Sequence, residues 1–293
     1  MKAATVQSDV LLLITAAIWG FAFVAQRLGM DHVGPFTYNG VRFALGALTL
    51  APLLLASRTS SSAIPIPMTL LGFLFRGGML GVVLFVAASL QQVALLYTTA
   101  GKAGFITGLY VVVVPILGLF WGRRPAVGTW AGATLAAAGL FLLSVTEAFQ
   151  IEHGDGLVLI SAFFWSLQVL MVAWLSPRSR PVELAFYQFS VCAFLSLITA
   201  LLFETLEWSA VVAAAGPILY GGVLSVGVAY TLQVVAQRDA HPAHASILMS
   251  LEAVFAALGG WMLLGETLSL RGLVGCALML AGMLISQLWA LKR

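Results

Sequence analysis

The side chains of this sequence that are best able to do chemistry lie inside long apolar stretches. Glu252 is the one acidic residue deep within such a stretch. A charged group at the centre of a membrane helix costs about 2.5–3.5 kcal/mol on insertion scales, so we expect Glu252 to face a partner or a water-filled space. Two interpretations stay open: a site for a proton or a substrate amine, and a carboxyl group that only fixes helix packing.

Arg42 lies about two turns into a second apolar stretch. Its guanidinium has the geometry to hold a carboxylate through two parallel hydrogen bonds. The same side chain can instead extend its charged end toward the membrane surface or cap carbonyl groups of a neighbouring helix. The second interpretation is the simpler one from sequence.

Aromatic and amide side chains accompany these charges. Trp19 and Trp165 lie in the middle of apolar stretches, whereas most other tryptophans lie near the ends, where the membrane interface accounts for them. Each polar side chain taken singly is explained by interhelical hydrogen bonding, but the set favours a cavity that stacks and orients an amphipathic ligand. The predicted substrate-binding residues are Trp19, Gln92, Tyr110, Trp165, Gln168, Tyr230, Gln233 and Glu252.

Patterns typical of enzymes are absent from the sequence. His241 and His244 have no pair of carboxylates or thiols beside them along the chain, and no His-Glu-x-x-His or Gly-x-Ser-x-Gly motif occurs. Cys192 and Cys276 are expected to pack as small apolar residues. We therefore predict no catalytic residue, no metal and no cofactor, and we regard an intramembrane enzyme as the least favoured class.

The composition decides which elements must position these residues. Of 293 residues, 61% are hydrophobic and 9% are charged, against about 25% charged in an ordinary soluble domain. The mean hydropathy is +1.04. Such a surface must face lipid, and only closed barrels or helices satisfy backbone groups there. No run of basic residues exceeds two, which argues against a nucleic-acid partner.

Ten apolar segments are long enough to be membrane-spanning helices, each needing about 20 residues. Glycine and proline residues separate most of them. The predicted spans are 10–28, 36–56, 72–96, 101–121, 126–145, 156–175, 183–203, 216–236, 243–264 and 270–290.

The distribution of lysine and arginine predicts the orientation. With a cytoplasmic N-terminus, ten basic residues fall on the inner side. The four on the outer side are Arg27, Arg42, Lys102 and Arg271. An excess of basic residues in short loops marks the cytoplasmic side. The prediction is a multi-pass membrane protein with both termini in the cytoplasm.

An internal repeat organises the spans. At a shift of 146 residues, Asp9–Trp19 aligns with Asp155–Trp165, with six of eleven positions identical. The same shift aligns Pro35 with Pro181 and Phe43 with Phe189. A shift of 143 aligns Gly122, Gly132 and Gly139 with Gly265, Gly275 and Gly282, respectively. Residues 1–146 and 147–293 are thus predicted as two five-helix repeats. Because five is odd, the second repeat must be inverted, an arrangement typical of alternating-access carriers with a site near the midplane.

Several short motifs resemble the EamA family of the drug/metabolite transporter superfamily. They are Trp19-Gly20, Arg42 after Pro35, Val114-Pro115, Leu251-Glu252 and Leu264-Gly265-Glu266. The resemblance covers almost the whole chain, as two copies of a five-span unit. Two positions differ from the family pattern: the Glu-Pro of the ninth span is Glu252-Ala253, and the Gly-Glu of the second half is Gly122-Arg123 in the first half.

Within that family the chain is most similar to bacterial exporters of amino acids, including aromatic amino acids. The resemblance implies an all-α polytopic protein of the cell inner membrane with ten transmembrane helices, a central cavity, and a small-molecule substrate. We expect membrane lipid around a monomer or weak dimer. The alternatives are a carrier for another small metabolite or drug, and less plausibly a channel; a nucleotide-sugar carrier would need several cations within the spans, and Arg42 is the chief one.

Overall fold

The computed structural model describes residues 2–59, 70–98, 100–122, 124–144, 153–264 and 269–291. Some predictions concern residues outside these ranges. They are the polar loop from residue 60 onward, the acids Glu147, Glu152 and Glu266, Gly265, and the basic residues Arg123, Lys292 and Arg293.

Within the described ranges all regular structure is helical. The helices include a 3₁₀ turn, Ser176–Arg178, and a π-helix, Tyr220–Tyr230. The α-helices are α1 (Lys2–Gly29), α2 (Pro35–Thr59), α3 (Leu70–Ala94), α4 (Ala100–Gly108), α5 (Tyr110–Phe120), α6 (Val127–Ser144), α7 (His153–Leu175), α8 (Pro181–Phe203), α9 (Trp208–Ala213), α10 (Ala215–Leu219), α11 (Thr231–Ala236), α12 (Pro242–Met249), α13 (Glu252–Leu264) and α14 (Leu270–Leu291).

Seven helical segments of the described residues are long and apolar enough to cross a membrane, judged by length and composition. Three further apolar helices are shorter, namely Ile106–Phe120, Val127–Leu142 and Leu270–Ser286. The chain is therefore an all-helical, polytopic membrane protein. The number of ten crossings remains a prediction.

Proline sets the start of three helices. Pro35, Pro181 and Pro242 occupy the first helical positions of α2, α8 and α12. Proline suits this position because its fixed φ is helical and its missing N–H has no intrahelical partner to lose. The imidazole Nδ1 of His241 adds a cap to α12, since it accepts a hydrogen bond from the Ala243 N–H at 3.3 Å.

The fourth and ninth predicted spans are both interrupted. The first breaks at Leu109, between α4 and α5, and the second breaks at Ser250 and Leu251, between α12 and α13. At each break the backbone tightens to an i→i−3 bond, from the Leu109 N–H to Ile106 and from the Leu251 N–H to Leu248. Ala253 stands where the family has proline, so the ninth span breaks without a proline at this position.

Two pairs of long helices cross the molecule in opposite directions. The start of α2 meets the end of α8, where the Phe36 and Thr37 amides donate to the Glu204 carboxylate at 2.8 Å each. In α6 and α14, Gly132 faces Gly282 and Gly139 faces Gly275, so close that a Cβ on either α6 glycine would lie 2.5–2.7 Å from a facing carbonyl oxygen. Such small residues allow helix backbones to approach in membranes.

The main core lies between the helices of both halves. Its largest buried members include Phe43, Phe189, Leu84 and Ile247, and Cys192 packs among them as an apolar residue. Large apolar side chains such as Leu202, Phe203 and Trp208 are exposed, as a lipid-facing surface requires.

Candidate functional site

A cavity opens where helices of both halves of the chain meet. Its empty volume is about 470 Å³, part of which continues into open solvent. The lining residues are Trp19, Ala22, Phe23, Gln26, Arg42, Gln91, Thr107, Tyr110, Trp165, Gln168, Val169, Ser225, Tyr230, Gln233, Met249 and Glu252.

Seven of the eight predicted site residues line this cavity. They are Trp19, Tyr110, Trp165, Gln168, Tyr230, Gln233 and Glu252. Gln92 does not, and its place is taken by Gln91. One residue along a helix turns the side chain by about 100°, so only one of two adjacent glutamines can face the cavity. Gln92 is fully buried elsewhere, and neither its amide nitrogen nor its amide oxygen has a hydrogen-bond partner.

Tyr230 is the centre of the aromatic wall. Its ring lies 4.5 Å from the ring of Trp19 and 5.9 Å from that of Trp165, measured between centroids, and it is nearly parallel to the latter. Phe43 and Phe189 flank it at about 6 Å. The two mid-span tryptophans therefore both contact Tyr230 and present stacking surface to one space.

Both indole N–H groups are used by the protein. The Trp19 Nε1–H donates to the Ser225 carbonyl at 3.3 Å, within the π-helix. The Trp165 Nε1–H donates to the Gln91 side-chain oxygen at 3.2 Å. These bonds fix the ring orientations, so that the tryptophan faces, and not their polar edges, are offered to a ligand.

Gln168 and Gln233 bind each other across α7 and α11. Each amide donates to the other's oxygen, at 3.3 Å and 3.0 Å. The pair is fully buried, which makes it an interhelical tie as well as part of the cavity wall. Gln237, on the same helical face, donates to the Val169 carbonyl and lies outside the lining.

Glu252 is the acidic pole of the cavity. It is 4% exposed, and its Oε1 atom has no hydrogen-bond partner. Tyr110 lies beside it, but the Tyr110 hydroxyl also lacks a hydrogen bond of normal geometry. Gly20 explains how α13 reaches this position, because a Cβ there would lie 2.6 Å from the Glu252 carbonyl oxygen.

Arg42 is the basic pole, and here the structure corrects the simpler interpretation from sequence. The side chain does not extend to the membrane surface: it is 2% exposed and lines the cavity. Its Nε–H donates to Asn39 at 2.9 Å, and its guanidinium lies 5.0–5.3 Å from the ring centroids of Tyr38 and Phe43. In the described part of the chain, no carboxylate lies within salt-bridge distance of it.

A second buried polar cluster, which sequence reasoning missed, lies away from the cavity. His244 has a carboxylate partner after all, because its Nε2 atom lies 3.0 Å from Asp9 Oδ1. α1 begins well before the predicted start of the first span, so Asp9 is a second acid buried within a helix. Because Asp9 and His244 are 235 positions apart in the sequence, no local sequence pattern indicates their contact.

Some missed cavity residues did leave a signal. Phe23 and Gln26 follow Trp19 by one and two turns, so extending the helical face of Trp19 would have found them. Gln91 aligns with Gln233 at a shift of 142 residues, together with Leu90 and Leu232. Met249 and Ser225 had no such signal.

Comparison with known proteins agrees with this architecture. The sequence model of the EamA-like transporter family matches residues 7–145 and again residues 153–288. An uncharacterized transporter of Archaeoglobus fulgidus is 31% identical over 287 residues, which cover 96% of this chain and 86% of that protein. The uncharacterized transporter YoaV of Bacillus subtilis is 20% identical, covering 94% of both chains.

A solved crystal structure superposes with a TM-score of 0.77 and 20% identity, covering 97% of each chain, which supports the fold alone. The family and these relatives are transporters and not enzymes. Because the family model matches both halves of the sequence, this chain belongs to the EamA-like transporter family.

Proposed function

We propose that this protein is an inner-membrane carrier that exports amino acids or similar small amphipathic metabolites, including aromatic amino acids, by alternating access through the central cavity. The observation that carries the proposal is the pairing of one buried cation, Arg42, and one buried acid, Glu252, around aromatic walls in a single cavity. A zwitterion with an apolar side chain satisfies all three features.

The cavity chemistry argues against the alternatives. A phosphate-bearing substrate would favour several cations, but among the residues whose side chains the structure describes, Arg42 is the only cation in the lining. A purely cationic drug would leave the Arg42 guanidinium buried without an anion, which is costly. The carboxylate of an amino acid supplies that anion, while its ammonium group matches the Glu252 carboxyl.

The helix arrangement supports two inverted five-helix repeats, residues 1–146 and 147–293. Equivalent helices α2 and α8 lie antiparallel, and the equivalent residues Phe43 and Phe189 meet at 6.3 Å. Equivalent helices α6 and α14 are antiparallel too, through reciprocal contacts of their glycines. Antiparallel contact between equivalent helices is what a two-fold axis in the membrane plane produces.

The position of the cavity supports alternating access. Its lining comes about equally from residues 19–110 and residues 165–252, so the site lies between the proposed repeats. Two near-equivalent packings of such repeats open the same site to opposite faces. Because the cavity is complete within one chain, we propose a monomeric carrier, oriented with both termini in the cytoplasm.

Counterflow in proteoliposomes tests the substrate class. Purified protein is reconstituted, and uptake of labelled L-phenylalanine is driven by internal L-phenylalanine, phenethylamine or 3-phenylpropionate. We expect the wild type to prefer the zwitterion at least about tenfold over each analogue, corresponding to about 1.4 kcal/mol per lost charge contact.

Two variants assign the charges. Arg42→Gln should lose the preference over phenethylamine, which lacks the carboxylate, and Glu252→Gln should lose the preference over 3-phenylpropionate, which lacks the amine. Arg238→Gln, at an exposed arginine, is the matched control. Absence of counterflow with every amino acid tested would contradict the proposal and favour another metabolite or drug.

A further inference from the structure

Asp9, His244 and Ser286 form a buried polar cluster remote from the cavity lining. His244 Nε2 lies 3.0 Å from Asp9 Oδ1, and His244 Nδ1 lies 2.9 Å from Ser286 Oγ. The side chains of His244 and Asp9 are 6% and 2% exposed. Three helices, α1, α12 and α14, are tied together by this cluster.

The cluster joins the two proposed repeats at one end of the molecule. Asp9 belongs to the first repeat, and His244 belongs to the second. At the opposite end Asp155, the equivalent of Asp9, accepts a hydrogen bond from Thr98 Oγ1 at 2.7 Å, again between repeats. Each end of the carrier therefore has a contact between the repeats that involves one of two equivalent aspartates, Asp9 or Asp155.

The two contacts differ in their chemistry. Thr98 does not titrate, whereas imidazole is the side chain that changes charge between about pH 5 and 8. At a shift of 142 residues, which aligns Leu90–Gln91 with Leu232–Gln233 and Leu109 with Leu251, the first repeat has Lys102 where the second has His244. Only the second repeat thus places an imidazole at this position.

The cluster can take up a proton with little rearrangement. In neutral His244, Nε2–H donates to the Asp9 carboxylate and Nδ1 accepts from the Ser286 hydroxyl. A proton from water then binds Nδ1, and the resulting N–H donates to Ser286 Oγ. The Ser286 hydroxyl hydrogen turns to the backbone carbonyl one turn earlier, a common partner for serine in helices. His241, which begins the same turn of α12, is exposed, so water lies one turn away.

We propose that Asp9, His244 and Ser286 are a proton-binding site that holds the cytoplasmic ends of the two repeats together. Protonation converts a hydrogen bond into an ion pair in a poorly solvated place, which strengthens the attraction. The conformation closed at the cytoplasmic side gains protons relative to the conformation open there, so acid favours closure. This inference rests on the alternating access proposed above.

Most other titratable groups are poorly placed to produce this effect. Tyr110 on α5 lies next to Glu252 within the cavity, Arg27 lies at the other end of α1, and Asp155 lies at the opposite end of the molecule, where it accepts a hydrogen bond from Thr98. His241 lies at the same end as His244 but is exposed, and the His244→Gln variant below separates its contribution from that of His244. α6 carries no charged residue in its described length. Helices α1, α5, α6, α7 and α14 pack against α12. The charged or titratable residues of these helices, of α12 and of its cap are Asp9, Arg27, Tyr110, Asp155, His241, His244, Arg271 and Cys276. Lys2 and His153 belong to the same helices, and their side chains are not described.

The test measures conformation directly and needs no substrate. Spin labels are attached to Arg124→Cys and Asp239→Cys, exposed positions in the two repeats, in a Cys192→Ala, Cys276→Ala background. Electron double resonance in lipid nanodiscs then gives the distance distribution at about pH 5.5 and pH 8. We expect the shorter-distance population to rise at least about threefold relative to the longer one at acid pH.

Two variants separate proton binding from packing. His244→Lys carries a permanent charge and should show the short distance at both pH values, whereas His244→Gln is permanently neutral and should show no pH response. Thr98→Val, at the opposite end, should keep the wild-type pH response. If either His244 variant fails to insert, Ser286→Ala is the second test, and it should displace the midpoint of the pH response.

Two results would overturn the inference: a wild-type distance distribution that is the same at both pH values, or a pH response retained in His244→Gln. A normal pH response together with failed counterflow of amino acids would refute the proposed substrate class and leave this site in place.

Discussion

At the residue scale, the cavity separates its apolar recognition from its charges. The rings of Trp19 and Trp165 pack against Tyr230, while Arg42 and Glu252 supply one basic and one acidic group. Trp165 is held by a side-chain acceptor, Gln91, whereas Trp19 is held by a backbone carbonyl. Loss of Trp165 therefore removes a wall of the cavity and also leaves the Gln91 side-chain oxygen without this donor.

Replacing Trp165 should impair transport without preventing insertion. Trp165→Ala removes a stacked ring worth about 0.5–1.5 kcal/mol beyond its buried area, so we expect initial counterflow rates to fall about tenfold or more. Trp174→Ala, at an exposed tryptophan on the same helix, is the control and should transport normally. Wild-type rates per purified molecule in Trp165→Ala would remove this residue from the site, and an effect on expression alone would indicate packing.

At the element scale, helix breaks position the polar residues. Tyr110 and Glu252 are the first residues of α5 and α13, directly after the breaks of the fourth and ninth spans. The break brings each side chain into the cavity, where a continuous helix would direct it differently. The family's proline is absent at Ala253, but i→i−3 bonds around Ser250 already interrupt the helix.

This interpretation predicts that proline is tolerated at residue 253. Ala253→Pro removes only the bond from the Ala253 N–H to the Ser250 carbonyl, at the second position of α13. We expect near-normal yield and counterflow. Ala257→Pro, in the interior of the same helix, should cost about 3 kcal/mol or more and abolish both. Equal damage from the two substitutions would show that the break does not relax the backbone at residue 253.

The glycine contact of α6 and α14 is the second prediction at this scale. A Cβ at Gly139 would lie 2.5 Å from the Gly275 carbonyl oxygen, so Gly139→Leu must separate the two helices. We expect a loss of thermal stability measured in detergent, with a lower melting temperature by several degrees. Gly78→Leu on α3, where nothing lies within 4 Å of the added Cβ, should leave the melting temperature nearly unchanged. The reverse order of the two variants would refute the close packing of α6 and α14.

At the scale of the whole molecule, the antiparallel pairs α2–α8 and α6–α14 fit a molecule built from two inverted halves. The contacts of Asp9 with His244 and of Asp155 with Thr98 fit the same relation, because each joins one half to the other at opposite ends. Such a molecule has two similar ends, and the distribution of basic residues is what distinguishes them for the membrane.

Reporter fusions test this orientation. A fusion after Arg178, in the turn between α7 and α8, should report the cytoplasm, and a fusion after Glu207, between α8 and α9, should report the opposite side. A fusion at the C-terminus should agree with the Arg178 fusion. If the Arg178 and Glu207 fusions report the same side, α8 does not cross the membrane and the proposed number of spans is wrong.

The sequence by itself determined the membrane environment, the helices and the family. Apolar runs of about 20 residues are a local property, so predicted spans such as 36–56 and 183–203 match single helices, Pro35–Thr59 and Pro181–Phe203, to within a few residues. Helical periodicity also indicated seven residues that line the cavity, because polar and aromatic side chains in the middle of a span tend to face the interior of the helix bundle and not lipid.

Only the tertiary structure decided which polar groups meet. Gln91 replaces Gln92 in the cavity because the rotation of α3 about its axis is set by its packing against α7 and α8. Arg42 remains inside because Asn39, Tyr38 and Phe43 surround it. His244 contacts Asp9, which is 235 positions away in the sequence. Each of these contacts depends on the mutual rotation and depth of helices, which apolar periodicity along one chain does not encode.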